Sequence, residues 1–269
     1  MKLLFSEARP AYENYIFPYA IWAFPEEGEA PSDLFHAGFL PSSAQLDRFY
    51  LCRHIRVDLA DFELTSENRR IIRKGAGIRA TLIPRGQFEL TEQRREFYKT
   101  YADIKFGKDK MTHERLERIF SSKILSHILL FTDEKTGQEV GAVTLYLEKP
   151  SLGYYYYSFY DLNYYQRNLG MFMMTTAVEL LANAGYRFAY LGTCYSQNAL
   201  YKAQFRHAEF FNGFQWSRNL KELRYLIERS QTVCNEHLLE SPEYREKFAP
   251  ADNDVLAGQS FFNVRPGTD

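Results

Sequence analysis

The sequence predicts an α+β fold, a mixed and mostly antiparallel sheet flanked by helices, with a small irregular N-terminal subdomain in front. Three observations predict it. Two apolar runs, Ile124–Thr132 and Val140–Leu147, are joined by the turn residues Asp133–Gln138, a hairpin signal. An aromatic run, Gly153–Tyr160, leads through a glycine-bearing turn into a helix and then a second apolar run, Phe188–Leu191. Strand–turn–helix–strand sets two loops at the carboxyl ends of neighbouring strands, where such sheets build their sites. Finally, Pro10, Pro18, Pro25, Pro31 and Pro41 break any long helix near the start.

Each element follows in order. Ile16–Phe24 and Phe49–Val57 predict short strands of the leading part. Thr65 or Ser66 caps a short helix over Thr65–Lys74, with Ile71 and Ile72 inward. Ile78–Ile83 is a strand ended by Pro84. Thr91 caps a helix whose Phe97, Tyr98, Tyr101 and Ile104 form one stripe, and Thr112 caps another with Leu116, Ile119 and Phe120 inward. Leu169–Ala184 has the clearest helical spacing (Leu169, Phe172, Met173, Thr176, Ala177, Leu180, Leu181, Ala184), and Gly185 stops it. Asn198–Phe205 predicts a short helix, Phe210–Trp216 a last strand and Leu220–Arg229 a further helix, before a weakly patterned tail. The division expected is 1–75 for the leading subdomain and 76–269 for the main domain with a helical tail.

Composition narrows the functional classes. A hydrophobic share of 45% and a charged share of 25% are those of an ordinary globular protein. A formal net charge of −1 provides no global positive field for nucleic acid, so any such site must be local. Cys52, Cys194 and Cys234 are far apart and odd in number, which predicts reduced thiols and no metal knuckle. MKLLF is too short for a signal peptide, and no run reaches membrane-spanning length, so a cytoplasmic protein is expected.

The order strand, two helices, three antiparallel strands, long helix, strand, short helix, strand is that of the GNAT acyltransferase fold. Acetyl-CoA binding in that fold needs Arg/Gln-x-x-Gly-x-Gly/Ala after the fourth core strand, so that backbone amides and a helix N-terminus can cradle the pyrophosphate. Here the turn reads Arg167-Asn168-Leu169-Gly170-Met171-Phe172. The arginine and glycine fit, but Phe172 stands where a small residue is needed, and the helical period assigns it to the core. This points to another acyl donor.

Phe159-Tyr160-Asp161, Asn168-Leu169-Gly170, Tyr190-Leu191-Gly192 and Tyr201-Lys202 occur in this order. With them the chain resembles the arginyl-tRNA–protein transferase family, including its bacterial leucyl-transferring relatives. The leading part agrees: Tyr50-Leu51-Cys52-Arg53-His54-Ile55-Arg56-Val57, then Phe62 and Ser66-Glu67-Asn68-Arg69-Arg70, looks like the family's Cys-x-x-x-Arg-Val stretch and the basic helix after it. The likeness runs from about Phe35 to Phe205. It implies a GNAT-like enzyme that moves an amino acid, arginine or leucine, from charged tRNA to the N-terminal amine of a protein or peptide, tagging it for degradation. It also implies aminoacyl-tRNA as co-substrate, no bound cofactor and no membrane partner. The family's paired cysteines, which hold a metal or iron–sulfur cluster, are not matched. Only Cys52 stands in that region, Tyr15-Ile16-Phe17-Pro18-Tyr19 occupies the earlier stretch, and one thiol cannot complete a tetrahedral site. No metal cluster is expected.

The candidate residues carry two readings each. Asp161 can hold a substrate ammonium and accept a proton, or simply cap turn amides. Tyr160 can stack on the terminal adenosine, although alternate tyrosines of the run must face opposite sides of the sheet. Asn168 and Gly170, at the turn that opens the helix, are candidate substrate-binding residues, or Gly170 simply permits a tight turn, and Gly192 allows close approach of substrate to the backbone or a plain turn. Tyr201 and Lys202 are matched by the family, Lys202 as a phosphate contact or a solvated charge. Arg56 is the arginine expected to meet a carboxylate, from substrate or from Asp161. Arg69, Arg70, Arg73 and Lys74, with Arg53, Arg79 and Arg85, form the one local basic surface, either a tRNA grip or a solvated helix face. His54 is expected to be structural, and Cys194 has no histidine to activate it. The rival functions are a CoA-dependent N-acyltransferase and a non-catalytic tRNA- or peptide-binding module.

Overall fold

A computed structural model describes residues 1–14, 17–232, 236–249, 252–260 and 262. The leading strands β1 (Lys2–Glu7), β2 (Tyr19–Phe24), β3 (Phe39–Pro41) and β4 (Phe49–Leu51), with helix α1 (Pro31–His36) between β2 and β3, make a four-stranded sheet in the order β1-β2-β4-β3. The predicted strand from Ile16 begins at Tyr19; residues 15–16 lie outside the described ones. The run Phe49–Val57 is two strands, because Cys52 and Arg53 carry the chain from one sheet to the next. β5 (His54–Asp58) and helix α2 (Ser66–Lys74), placed within 1–75 by sequence, are built into the larger layer. Thr65 is the cap of α2, its hydroxyl accepting from the Asn68 amide at 3.1 Å.

The larger sheet continues with β6 (Ile78–Pro84), helices α3 (Glu92–Phe106) and α4 (His113–Ser121), then β7 (His127–Asp133), β8 (Glu139–Glu148) and β9 (Leu152–Tyr160). Helix α5 (Leu169–Asn183), β10 (Phe188–Thr193), a 3-10 segment Gln197–Gln204 and the hairpin β11 (Ala208–Phe211) and β12 (Trp216–Ser217) follow. Helices α6 (Leu220–Arg229), α7 (Pro242–Phe248) and α8 (Asn253–Gln259) form the tail. Eight strands lie in the order β12-β11-β5-β10-β9-β8-β7-β6. β9 and β10 pair in parallel, whereas the neighbouring pairs are antiparallel. From β6 to β10 this is the GNAT-like order of elements expected from the sequence.

Apolar burial explains the layers. One face of the sheet packs Leu129, Phe131, Val143 and Tyr155 against Leu169, Phe172, Met173, Val178 and Leu181 of α5, with Ile71 of α2 and Leu223 of α6. The other face is shared. α3 and α4 cover Ile128, Ala142 and Phe159 with Tyr98, Leu116 and Phe120, while the leading sheet and α1 cover Tyr154 and Tyr190 with Phe35, Phe39 and Phe49.

Four predicted details change. Ile104 is exposed, because the last turn of α3 overhangs a cavity instead of the sheet. Ile72 is only half-buried. The expected strand Phe210–Trp216 is a hairpin. Gly213 turns it with φ +116°, and the Asn212 side chain accepts from the Phe214 and Gln215 amides. The expected helix over Asn198–Phe205 is the 3-10 segment Gln197–Gln204.

A split between two parallel strands as the candidate active site

β9 and β10 stay paired only from Leu152↔Phe188 to Tyr154↔Tyr190, then part. Each strand carries an irregularity at that level. The register of β8 with β9 jumps from Thr144↔Tyr157 to Leu145↔Tyr155, leaving Tyr156 as the extra residue. The register of β10 with β5 jumps from Tyr190↔Arg56 to Gly192↔Ile55, leaving Leu191 extra. A bulge bends its strand and raises its twist. Two bulges side by side open the sheet.

The opening is a cavity of about 440 Å³. Its walls are Tyr154–Ser158 of β9 and Leu191–Thr193 of β10; Tyr201 and Lys202 come from the 3-10 segment. Leu40, Pro41 and Tyr50 of the leading sheet, Tyr101 and Phe106 of α3 and Met174 of α5 complete it. The bulge turns Tyr156 and Tyr157 to one side, their rings 4.5 Å apart at 68°. A strictly alternating strand would have separated them.

Among the described residues, Lys202 is the one charged side chain lining this cleft. Its Nζ donates to the Thr193 carbonyl at 2.8 Å. Burial pulls its pKa below the ordinary lysine value, opposed only by the nearby Cys194 thiol. Gly192 has φ +82°, and a Cβ added there would lie 3.6 Å from that Nζ. Glycine therefore serves the left-handed turn and leaves the lysine approachable. The cleft brings together three of the sequence-predicted residues, Gly192, Tyr201 and Lys202.

Tyr160 and Asp161 line a second cavity, of about 870 Å³, between α3 and the β7–β8 turn. The two cavities share Tyr101. The Tyr101 and Tyr160 rings, 4.6 Å apart, form the partition. Asp161 Oδ1 accepts the Asn163 amide at 2.9 Å in a turn. Asp161 is thus beside the cleft and not in it.

The remaining candidates sit elsewhere. Arg56 does meet a carboxylate, but it is Glu209 at 2.7 Å, with the guanidinium over Trp216 (3.8 Å) and Phe188 (4.2 Å). Both partners of this pair are 11% exposed, so Arg56 pins β5 to β11. Asn168 takes a left-handed conformation ahead of α5 (φ 57°), and Gly170 lies flush against the Tyr160 ring. On α2, Arg70 pairs with Glu67 and Arg69 donates to the Leu64 carbonyl, while Arg73 and Lys74 extend to solvent. α2 packs on α5, on the face of the sheet opposite the leading strands.

The turn that would cradle a pyrophosphate is filled by protein. Arg167 donates to the Lys74 and Ala76 carbonyls at the end of α2 and lies 3.6 Å from Asp133. Phe172 packs against Phe131 and Gly75, where a Cβ would overlap its ring. The residues present do not fit a CoA pyrophosphate. Among the described residues no group of three or more His, Cys, Asp and Glu is placed to hold a metal, and no helix is long and apolar enough to cross a membrane. Cys234 lies outside the described residues; Cys52 and Cys194 are free and buried. His54 is fully buried, its Nδ1 on the Cys52 carbonyl at 2.9 Å and its pKa pushed down to about 3 by desolvation. It is structural, as expected.

No family model matches the chain. It is 26% identical to the aspartate/glutamate leucyltransferase of Cereibacter sphaeroides over 190 residues, 66% of this chain and 65% of that protein. The like-named protein of Ruegeria sp. is 26% identical over 173 residues, 62% of this chain and 61% of that one. That of Acinetobacter baumannii is 25% identical over 200 residues, 70% and 71%. The chain therefore spans somewhat less than two thirds of the first two relatives. Among solved structures, L-PGS from Bacillus licheniformis superposes with a TM-score of 0.42 at 11% identity, over 53% of this chain and 46% of that one. FemX superposes with a TM-score of 0.40 at 10% identity, over 53% of each chain. In sequence the chain is similar to bacterial proteins named aspartate/glutamate leucyltransferase, the branch its motifs resemble.

Proposed function

We propose that this chain is an aminoacyl-tRNA-dependent transferase, moving an amino acid from the 3′ end of charged tRNA to the N-terminal amine of a protein or peptide in the cleft between β9 and β10. The observation that carries it is Lys202, a partly buried ammonium beside Gly192 in a cleft walled by tyrosines. The filled pyrophosphate turn argues against CoA as donor. The names of the relatives favour leucine as the transferred residue and aspartate or glutamate as the receiving one.

The chemistry asks little of the protein. An aminoacyl ester is already activated, so the enzyme must align a neutral acceptor amine with the ester carbonyl and hold the oxyanion that forms. The amine nitrogen forms a bond to the carbonyl carbon, the bond to the ribose oxygen breaks, and that oxygen takes a proton while the amine loses one. Lys202, which lines the cleft, is assigned to stabilise the oxyanion and pass a proton to the leaving oxygen, a role eased by its lowered pKa. Tyr156, Tyr157 and Tyr201 offer flat faces for the terminal adenosine. Asp161, in the adjoining cavity, is assigned the ammonium of a bound substrate. The exposed Arg73 and Lys74 are assigned tRNA phosphates further from the cleft.

A transfer assay at low salt tests this. Radiolabelled Leu-tRNA and Arg-tRNA serve as donors, peptides differing in their first residue as acceptors, and acetyl-CoA runs in parallel. Label in a peptide from charged tRNA is the expected result. Label from acetyl-CoA alone, or from no donor with a folded protein, refutes the proposal.

A further inference from the structure

A second cavity opens onto the same tyrosines. It has a volume of about 390 Å³ and lies between the β3–β4 loop and the end of α4. Pro41, Tyr156 and Tyr157 line both it and the cleft, so the tyrosine pair is a common wall. Arg115 and Arg118 of α4, Ser122 just after it, and Ser42 and Ser43 of the loop supply a polar lining without an Asp or Glu. The Lys123 amide ties the two sides together, donating to the Ala44 carbonyl at 2.8 Å.

The cations here lack carboxylates. On α3, Arg94 is paired with Glu139, and Arg95 with Glu92 and Glu117. Arg115 and Arg118, one turn apart and both exposed, have no carboxylate partner among the described residues. Arg115 donates instead to the Lys110 carbonyl at 3.1 Å and, from Nη2, to the Tyr157 hydroxyl at 3.4 Å. That second bond holds its guanidinium at the wall shared with the cleft. Ser122 adds an unmet donor: it is 7% exposed, and its Oγ has no partner among the described residues. A buried hydroxyl left unpaired carries a cost that an incoming acceptor removes. The end of a helix ordinarily disfavours anions through its last carbonyls. Those of Arg118, Ile119 and Phe120 are already taken, by the Ser121 hydroxyl, the Ser122 amide and the Arg85 guanidinium.

We propose that this cavity is the subsite for the phosphate of the terminal nucleotide of charged tRNA, with Arg115 and Arg118 as positioning residues. This rests on the transfer function proposed above. A base stacked on Tyr156 and Tyr157 lies on the wall common to both cavities. The ribose ester can then face Lys202 while the phosphate of the same nucleotide faces the arginines. The side-chain carboxylate of an acidic acceptor would meet the same cations, but it brings no flat group for the tyrosines. Phosphate contacts fix register without reading sequence, which suits a terminus shared by different tRNAs.

The test uses 3′-leucylamido-3′-deoxyadenosine, whose amide replaces the labile ester, with and without a 5′-phosphate. Calorimetry at low salt measures its binding to the full chain, to Arg115→Gln, to Arg118→Gln and to the double variant, each shown to be folded by circular dichroism. The wild type should bind the phosphorylated analogue about fivefold to tenfold more tightly, a ratio that shrinks in high salt. Each single variant should reduce the ratio, and the double variant should bring it to within about twofold while the unphosphorylated analogue keeps its affinity. With full-length charged tRNA, the double variant should raise KM and retain kcat. A ratio near one in the wild type overturns the proposal, as does an equal loss for both analogues. Weaker binding of full-length tRNA with the analogue ratio intact also overturns it, moving the arginines to a more distant phosphate. So does a lost preference for Asp over Asn peptides with that ratio intact, which makes the cavity a carboxylate site. An arginine-dependent ratio with no label transferred from charged tRNA keeps the subsite and removes the transfer function.

Discussion

Replacing Lys202 by methionine separates chemistry from stability. Methionine keeps much of the lysine stem but deletes the ammonium, and with it the 2.8 Å bond to the Thr193 carbonyl. A hydrogen bond from a charged group contributes about 1.5–3 kcal/mol, but the wild type also carries the desolvation cost of a partly buried charge. The two terms oppose, so stability should change by no more than about 1 kcal/mol, roughly 2–4 °C in Tm for a chain of this size. Activity has no such cancellation. Loss of an oxyanion partner and proton donor should lower kcat by about 10²–10³, or about 2.7–4 kcal/mol of barrier. Single-turnover transfer from labelled Leu-tRNA, with a thermal melt on the same preparation, measures both. Lys202→Arg should restore part of the rate, having a charge but the wrong reach and shape. A Lys202→Met protein that melts normally and transfers within threefold of wild type would falsify the assignment of Lys202 to the reaction.

Four further outcomes are expected. Gly192→Ala forces a side chain into a left-handed residue at φ +82°, which should cost about 1–2 kcal/mol in chemical denaturation and lower transfer as the methyl stands beside Nζ. Gly75→Ala should cost about 1–3 kcal/mol through overlap with Phe172, and Phe172→Leu in the same chain should recover part of it; additive losses would show that the two do not touch. His54 stays neutral in the folded state until about pH 3, whereas the unfolded chain protonates it near 6.5. Its contribution is therefore complete above pH 6.5 and falls by about 1.4 kcal/mol per unit as pH drops from 6.5 toward 3. Denaturation at pH 7 and 5 should show a difference about 2 kcal/mol larger in wild type than in His54→Gln, and equal differences would mean that the imidazole reaches solvent. Asp161→Asn keeps the turn bond to the Asn163 amide, so it should leave Tm unchanged and raise KM with kcat retained. A fall in kcat as deep as that of Lys202→Met would move the chemistry into the adjoining cavity.

The fold was legible wherever one local signal decided it. Thr65, Thr91 and Thr112 announce three helices, and all three accept the expected backbone amide. The α5 stripe, from Leu169 to Leu181, is buried as its spacing demands. Long-range pairing was not legible. Nothing in His54–Asp58 tells that this strand leaves the proline-rich leading part to sit between β10 and β11. Only tertiary pairing decides which sheet receives a short apolar strand.

The site shows the same division more sharply. Gly192, Tyr201 and Lys202 were singled out because each belongs to a motif read in the sequence, and one cavity is lined by all three. Asp161 was drawn to the centre by its place at the end of β9. The strand outruns its partner, though, and carries the carboxylate past the partition of Tyr101 and Tyr160 into the next cavity. Arg56 was chosen as the arginine that needs a carboxylate, and Glu209 was the unseen partner that satisfies it. Arg53, three residues earlier and hidden in the same basic run, has no carboxylate partner among the described residues. Sequence ranks arginines by their neighbours along the chain, whereas binding capacity depends on which partners the fold withholds. The bulges at Tyr156 and Leu191 act in the same way. They look like two ordinary residues in two ordinary strands, yet by displacing the ladders at one level they turn a continuous sheet into a cleft. The carbonyl of Thr193 can then face Lys202 instead of a neighbouring strand.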